Sequence, residues 1–186
     1  RELSHPFSLA FALNFASLLN QYRREGRVAQ EQAEALVKLS LDQGFVFYFA
    51  HGTLLRGGAL AEQGQEEEGI MQMRQGLAAL RTTGAELRLP CYLATLAAAY
   101  AQGRQTEEAS SLLTRALEVM HKNEERVHEA ELYKLKGELL LEKFQVSGST
   151  FQVLPRTQHP APRTPVEAEA EACFLQAIEI ARRQQA

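Results

Sequence analysis

His121 and His128 stand seven residues apart, a spacing that would bring both imidazoles to one face of a continuous helix. With a cysteine or a third ligand close by, such a pair could hold zinc. A turn is expected between them at Asn123-Glu124, and no cysteine or nearby third ligand completes a site, so both read as surface histidines. The glutamate runs Glu66-Glu67-Glu68 and Glu107-Glu108 have the side chains of acid–base chemistry. Each run falls in the first turn of an expected helix, where the helix dipole favours anions. Cys91 and Cys173 show no metal or redox spacing and read as two free thiols of a cytoplasmic protein. No phosphate-cradling loop, HExxH motif or nucleophile elbow is present. The expectation is a non-enzyme with no cofactor and no metal.

Composition narrows the alternatives. The 186 residues are 45% hydrophobic and 23% charged, with a formal net charge of −3. That balance provides no electrostatic reason to bind nucleic acid or an anionic membrane. The pairs Arg23-Arg24 and Arg182-Arg183 read as cations near helix C-termini. The longest apolar run, Tyr92 to Ala101, is too short to cross a bilayer. No signal peptide is visible, and the first residue is Arg1, so the sequence reads as a piece of a larger cytoplasmic protein. Ala, Leu, Glu, Gln and Arg dominate, which favours helix.

The elements emerge from an internal period of 40 residues. Ser17, Gly57, Ala97 and Gly137 form one column of small residues. Ala29, Gly69 and Ala109 form a second, and Gly76 and Ala116 a third. Large residues keep the same register: Leu60, Tyr100 and Leu140; Met73 and Leu113; Leu77 and Leu117; Leu80 and Met120. Each unit divides into two helices, with turns near Gly26-Arg27, Gly64-Gln65 and Gly103-Arg104. The second helices end near Gly44, Gly84 and Asn123. The expected helices run over about 5–24, 28–43, 46–63, 66–82, 88–102, 105–122, 126–144 and 165–184. A glycine inside a helix costs about 1 kcal/mol against alanine, so the small columns imply close helix contact. Gly76 is expected to accept alanine without loss and to reject leucine.

The fourth unit is interrupted. Ala170, Phe174, Ala177 and Ile178 continue the pattern of Ala109, Leu113, Ala116 and Leu117 after extra residues in the span 145–164. Prolines at 155, 160 and 162 exclude a continuous helix there, and a loop insertion is expected. Thr164-Pro165-Val166-Glu167 then reads as a capping box that restarts the helix. The units are about 5–44, 45–84, 85–124 and 125–186, forming a single all-α domain.

Leu96-Ala97, Tyr100, Ala109, Leu113 and Ala116 resemble the small-and-large signature of the tetratricopeptide repeat (TPR). The resemblance implies a right-handed α-solenoid of about four antiparallel helix pairs, with a period longer than the family's usual one. More narrowly, His5-Pro6-Phe7-Ser8-Leu9-Ala10, the run from Glu131 to Leu141, and Glu169-Ala170-Glu171-Ala172-Cys173-Phe174 resemble the C-terminal repeat region of large bacterial signalling ATPases, adenylate/guanylate cyclases and transcriptional regulators. That implies a scaffold that docks a protein, a peptide or neighbouring domains of the same polypeptide, or a sensor whose small ligand alters the solenoid's curvature. Transferring the family's groove offsets gives Phe11, Asn14 and Leu18 in the first unit and His51, Leu54, Gly58 and Glu62 in the second. The third contributes Cys91, Ala94, Ala98 and Gln102, and the fourth Glu131, Lys134, Glu138 and Glu142. Only Asn14 and Lys134 fit the carboxylate-gripping pattern of some family members, which argues against that mode. An apolar stripe of Phe7, Phe11, Phe15 and Leu18 on the first helix suggests self-association through a solenoid end.

Overall fold

A computed structural model describes residues 5–147 and 164–185 of the chain. Eight α-helices follow one another: α1 (Pro6–Tyr22), α2 (Gly26–Gln43), α3 (Val46–Glu62), α4 (Glu66–Thr83), α5 (Leu89–Gln102), α6 (Thr106–Asn123), α7 (Glu129–Ser147) and α8 (Pro165–Gln185). A one-turn 3-10 helix, Arg126–His128, leads into α7. There is no strand among the described residues, and the chain is an all-α solenoid of helix pairs.

The period is written into the backbone as well as the side chains. Within the pairs, left-handed residues occur at Arg24, Gly64 and Arg104; between pairs they occur at Gly44, Gly84 and Glu124. Each set recurs every 40 residues. At the first set the same hydrogen bond closes each helix, from Glu25 N–H to Asn20 O, Gln65 N–H to Leu60 O and Gln105 N–H to Tyr100 O, at 2.9–3.0 Å. These are the C-terminal bonds that satisfy carbonyls left over by the helix. The turns centre on Gly64 and Arg104, within the pairs the sequence suggested, and on Arg24, just before the suggested Gly26-Arg27. Gly26 instead opens α2, and Gly103 follows α5 with an ordinary negative φ.

The small columns pack against each other inside the pairs. Ser17 donates a 2.8 Å hydrogen bond to Ala29 O. The residues 40 positions on, Gly57 and Gly69, meet backbone to backbone: a Cβ on either would sit 2.7 Å from the other's carbonyl oxygen. A Cβ on Gly137 would strike the Phe174 ring, as one on Gly57 would strike Met73. Phe174 thus occupies the place of Met73, and α8 keeps the register inferred across the insertion. Thr164 and Glu167 form the expected capping box, with Thr164 N–H donating to Glu167 Oε2 at 2.8 Å and Glu167 N–H to Thr164 Oγ1 at 3.3 Å. Most of the expected insertion, 148–163, lies outside the described residues, and α7 extends to Ser147.

Gly76 corrects the sequence reading. A Cβ there would lie 2.6 Å from Leu54 Cγ and 2.9 Å from Leu54 N, so alanine already collides with α3. The continuous core joins Leu54, Met73, Leu80, Leu93, Leu96, Met120 and Leu132, all buried. Each such side chain contributes roughly 1.5–3 kcal/mol on leaving water. This core fixes the relative positions of the first helices α1, α3, α5 and α7.

Candidate functional site

The first helices lie side by side in chain order, with α1 against α3, α3 against α5 and α5 against α7. The row curls. Tyr22, at the end of α1, lies 3.4 Å from His128 Nε2, and their rings stack with centroids 6.2 Å apart. A contact between the first and fourth units can form only if the row bends toward this side, which is therefore the concave face.

Under that contact is a cavity of about 220 Å3. Its walls are Leu18, Gln21 and Tyr22 of α1, Glu62 of α3, Cys91, Ala94 and Thr95 of α5, and His128 and Glu131 at the start of the fourth unit. Five of the groove positions inferred from sequence converge here: Leu18, Glu62, Cys91, Ala94 and Glu131. The C-terminal ends of α1 and α3 meet the N-terminal ends of α5 and α7, so one small space draws on every unit.

The polar groups form a connected chain. Arg88 Nη2 donates to Tyr22 Oη at 3.3 Å and to Cys91 Sγ at 3.7 Å. His128 Nδ1 lies 3.1 Å from Glu131 Oε2. Arg88 is itself held in a left-handed conformation (φ 61°), with its N–H donating to Glu125 Oε2 at 3.1 Å. Hydrogen bonds from Cys91 and Glu131 raise the His128 pKa to about 9, against burial. Burial pushes the Cys91 thiol up, but the His128 hydrogen bond and charge, with Arg88, outweigh it and hold the thiol below its ordinary value. Glu131 is lowered by its bond to His128. Glu62, at the rim, is raised by loss of hydration, opposed by the charge of Arg24. The arrangement is a buried imidazole held in its charged form, with a thiol of lowered pKa on one side and a carboxylate on the other.

Two crystal structures share the whole architecture. One contains nearly identical TPR-like repeats ascribed to a kinesin light chain of Podosopora anserina; it has a TM-score of 0.56 and 20% identity, over 98% of this chain and 91% of that one. The chain folds as a TPR-like helical repeat. A single-substitution variant of the same protein gives a TM-score of 0.55 and 20% identity, over 99% and 91% of the two chains. No protein-family model matches the sequence, and no curated protein matches it.

Within this TPR-like fold, the remaining groove positions divide by burial. Asn14, His51, Leu54 and Gly58 are buried and present little surface to a ligand. Gly58 lies beneath the Gln21 amide. His51 packs on Phe47 and pairs with the Tyr92 hydroxyl at 2.9 Å; burial and the charge of Arg88 lower its pKa to about 4. Phe11 and Gln102 are exposed, Ala98 and Glu142 partly so, and none of them lines the cavity. Lys134 and Glu138 pair with each other at 3.3 Å.

His128 corrects the sequence reading outright. It is 7% exposed, not a surface residue, and Cys91 is its neighbour in space. Arg88, Tyr22 and Gln21 were also missed. One signal pointed to them: Arg88 and His128 stand 40 residues apart, as do Cys91 and Glu131, so two polar columns begin successive first helices side by side. His121, by contrast, is exposed as expected, and α6 does end at Asn123. A wider depression of about 740 Å3 lies between α4, α5 and α6, lined by Arg74, Arg81, Tyr100 and Glu107 among others. It is open to solvent and has no comparable convergence of coupled groups.

Proposed function

We propose that this chain is a protein-interaction or regulatory scaffold that takes a partner segment on its concave face. The observation that supports this best is the cavity under Tyr22 and His128, built from all four units of a TPR-like solenoid. Solenoids present extended concave surfaces of this kind for binding. The sequence likeness to bacterial signalling proteins favours a partner in cytoplasmic signal transduction, either a separate protein or a neighbouring domain of the same polypeptide. No helix among the described residues is long and apolar enough to cross a membrane.

Peptides selected from a displayed library on the wild-type protein supply the test. Ala94→Trp fills the cavity, whereas Arg115→Glu alters the exposed side of α6. Fluorescence anisotropy should show loss of binding for the first variant and retention for the second. Retention by Ala94→Trp with loss by Arg115→Glu would move the site to the second helices and end this reading.

A second reading, a small-molecule sensor, is favoured by the size of the cavity and by its roof. At about 220 Å3 it suits a small metabolite, and its Tyr22–His128 roof joins the first and fourth units. A ligand that favours one curvature would shift the population toward it. A saturable thermal shift with a metabolite, lost in Ala94→Trp, distinguishes this case.

A further inference from the structure

Cys91 is the one thiol that lines the cavity, and it is not isolated. Arg88 faces it from the start of its own helix, and Tyr22 from α1. His128 and Glu131 face it from the fourth unit, and Glu62 of α3, with Arg24 nearby, stands at the rim. Tyr92, on the same helix, turns its hydroxyl away to His51. Among the described residues, no three His, Cys, Asp or Glu side chains are arranged to hold a metal ion. A thiol next to an imidazole that is oriented by a carboxylate is instead the arrangement that activates sulfur as a nucleophile.

We propose that Cys91 is an oxidation site for small uncharged peroxides, which convert it to a sulfenic acid within the concave cavity. Three observations select this reagent class. The space is about 220 Å3, too small for a bulky disulfide. The carboxylates of Glu62 and Glu131 are set against Arg24, Arg88 and His128, leaving no surplus of one charge to draw an ionic reagent. The Arg88 guanidinium, whose buried Nε has no partner, and the Tyr22 hydroxyl supply donors for oxygen beside the sulfur.

The step balances without a further reactant. The Cys91 thiolate attacks the hydroxyl oxygen of the peroxide, so an S–O bond forms as the O–O bond breaks. Sulfur loses two electrons and the peroxide oxygen gains them. The leaving hydroxide or alkoxide takes the proton of the His128 imidazolium and departs as water or alcohol. Cys91 is left as the sulfenic acid, the first and reversible stage of thiol oxidation. The chain's other cysteine, Cys173, is on α8, and both thiols are free. This reaction shares its cavity with the proposed partner site but does not rest on that reading.

Cys173 also provides an internal reference: it is buried, and loss of hydration pushes its thiol up. The protein is treated with hydrogen peroxide for timed intervals, quenched with dimedone, and the labelled peptides are quantified by mass spectrometry. At about pH 6 an ordinary thiol is less than about 1% thiolate, so Cys91 should be labelled at least about tenfold faster than Cys173. Its rate should rise less steeply between about pH 6 and about pH 8 than that of Cys173, since a normal thiol's rate climbs close to tenfold per pH unit below its pKa. In His128→Asn the steep profile should return. Glu131→Gln, altering an exposed side chain, should restore part of it if the first variant does not fold. A steep profile for wild-type Cys91, equal labelling of Cys173, or a flat profile in folded His128→Asn would each overturn the proposal.

Discussion

Gly57 and Gly69 offer a quantitative test of how the second helix pair is built. A Cβ on Gly69 would lie 2.7 Å from Gly57 O and 2.8 Å from Ala61 N, both backbone atoms. No rotamer change relieves that contact, so α3 and α4 must separate. Overpacking of this kind costs roughly 1–3 kcal/mol, offset by about 1 kcal/mol from replacing a helical glycine. Gly69→Ala should therefore cost about 0–2 kcal/mol net, and Gly57→Ala, which meets Gly69 O and Met73 N, a similar amount. The double variant should cost less than the sum, because the separation that admits one methyl also admits the other. The third unit holds alanine at both equivalent positions, Ala97 and Ala109, each fully buried. Gly103→Ala is the control: its nearest neighbour would be 3.5 Å away, so stability should stay within about 0.5 kcal/mol. Urea melts followed by circular dichroism measure all four. Additive costs in the double variant, or stabilisation by either single change, would refute the close-contact argument.

Other predictions concern protons, turns and surfaces. His51 is kept neutral in the fold, with a pKa of about 4, while the unfolded chain takes up a proton below about 6.5. Its contribution is thus intact above pH 6.5 and is lost as pH falls toward 4, up to roughly 3 kcal/mol; His51→Leu should flatten the urea-midpoint profile across that window. Arg104 holds a left-handed φ of 57° where the preceding unit has Gly64, so Arg104→Gly should stabilise by about 0.5–1 kcal/mol in the same melts. Phe11 and Phe15 are about half exposed, with ring centroids 4.7 Å apart. Sedimentation should show concentration-dependent self-association, which Phe11→Ser abolishes without loss of helicity; a monomer at all concentrations excludes this contact.

Helices and register were legible because packing imposes them locally and repeatedly. The column of Ser17, Gly57, Ala97 and Gly137 marks where two helices touch, and the pattern of Ala109, Leu113, Ala116 and Leu117, resumed at Ala170, Phe174, Ala177 and Ile178, located α8 beyond the insertion. The steric fit at Gly76 was not legible, since its cost depends on how near Leu54 comes. The site was half legible. The groove offsets of the resembled repeat family named Cys91 and Glu131, but not the approach of Tyr22, which depends on curvature accumulated over three units. Nor could they show that the short 3-10 turn before α7 directs His128 inward. Its burial depends on that curvature and on the turn together, and neither leaves a periodic trace.

Arrays of repeats usually lose structure one unit at a time, because each unit is coupled only to its neighbours. The Tyr22–His128 contact gives this chain an additional link between its first and fourth units. Fraying of the first unit must break it, as must fraying of the fourth, so these two units share one opening penalty. Melting should be correspondingly sharper than in a linear array of the same length. Hydrogen exchange at the two ends should slow or quicken together.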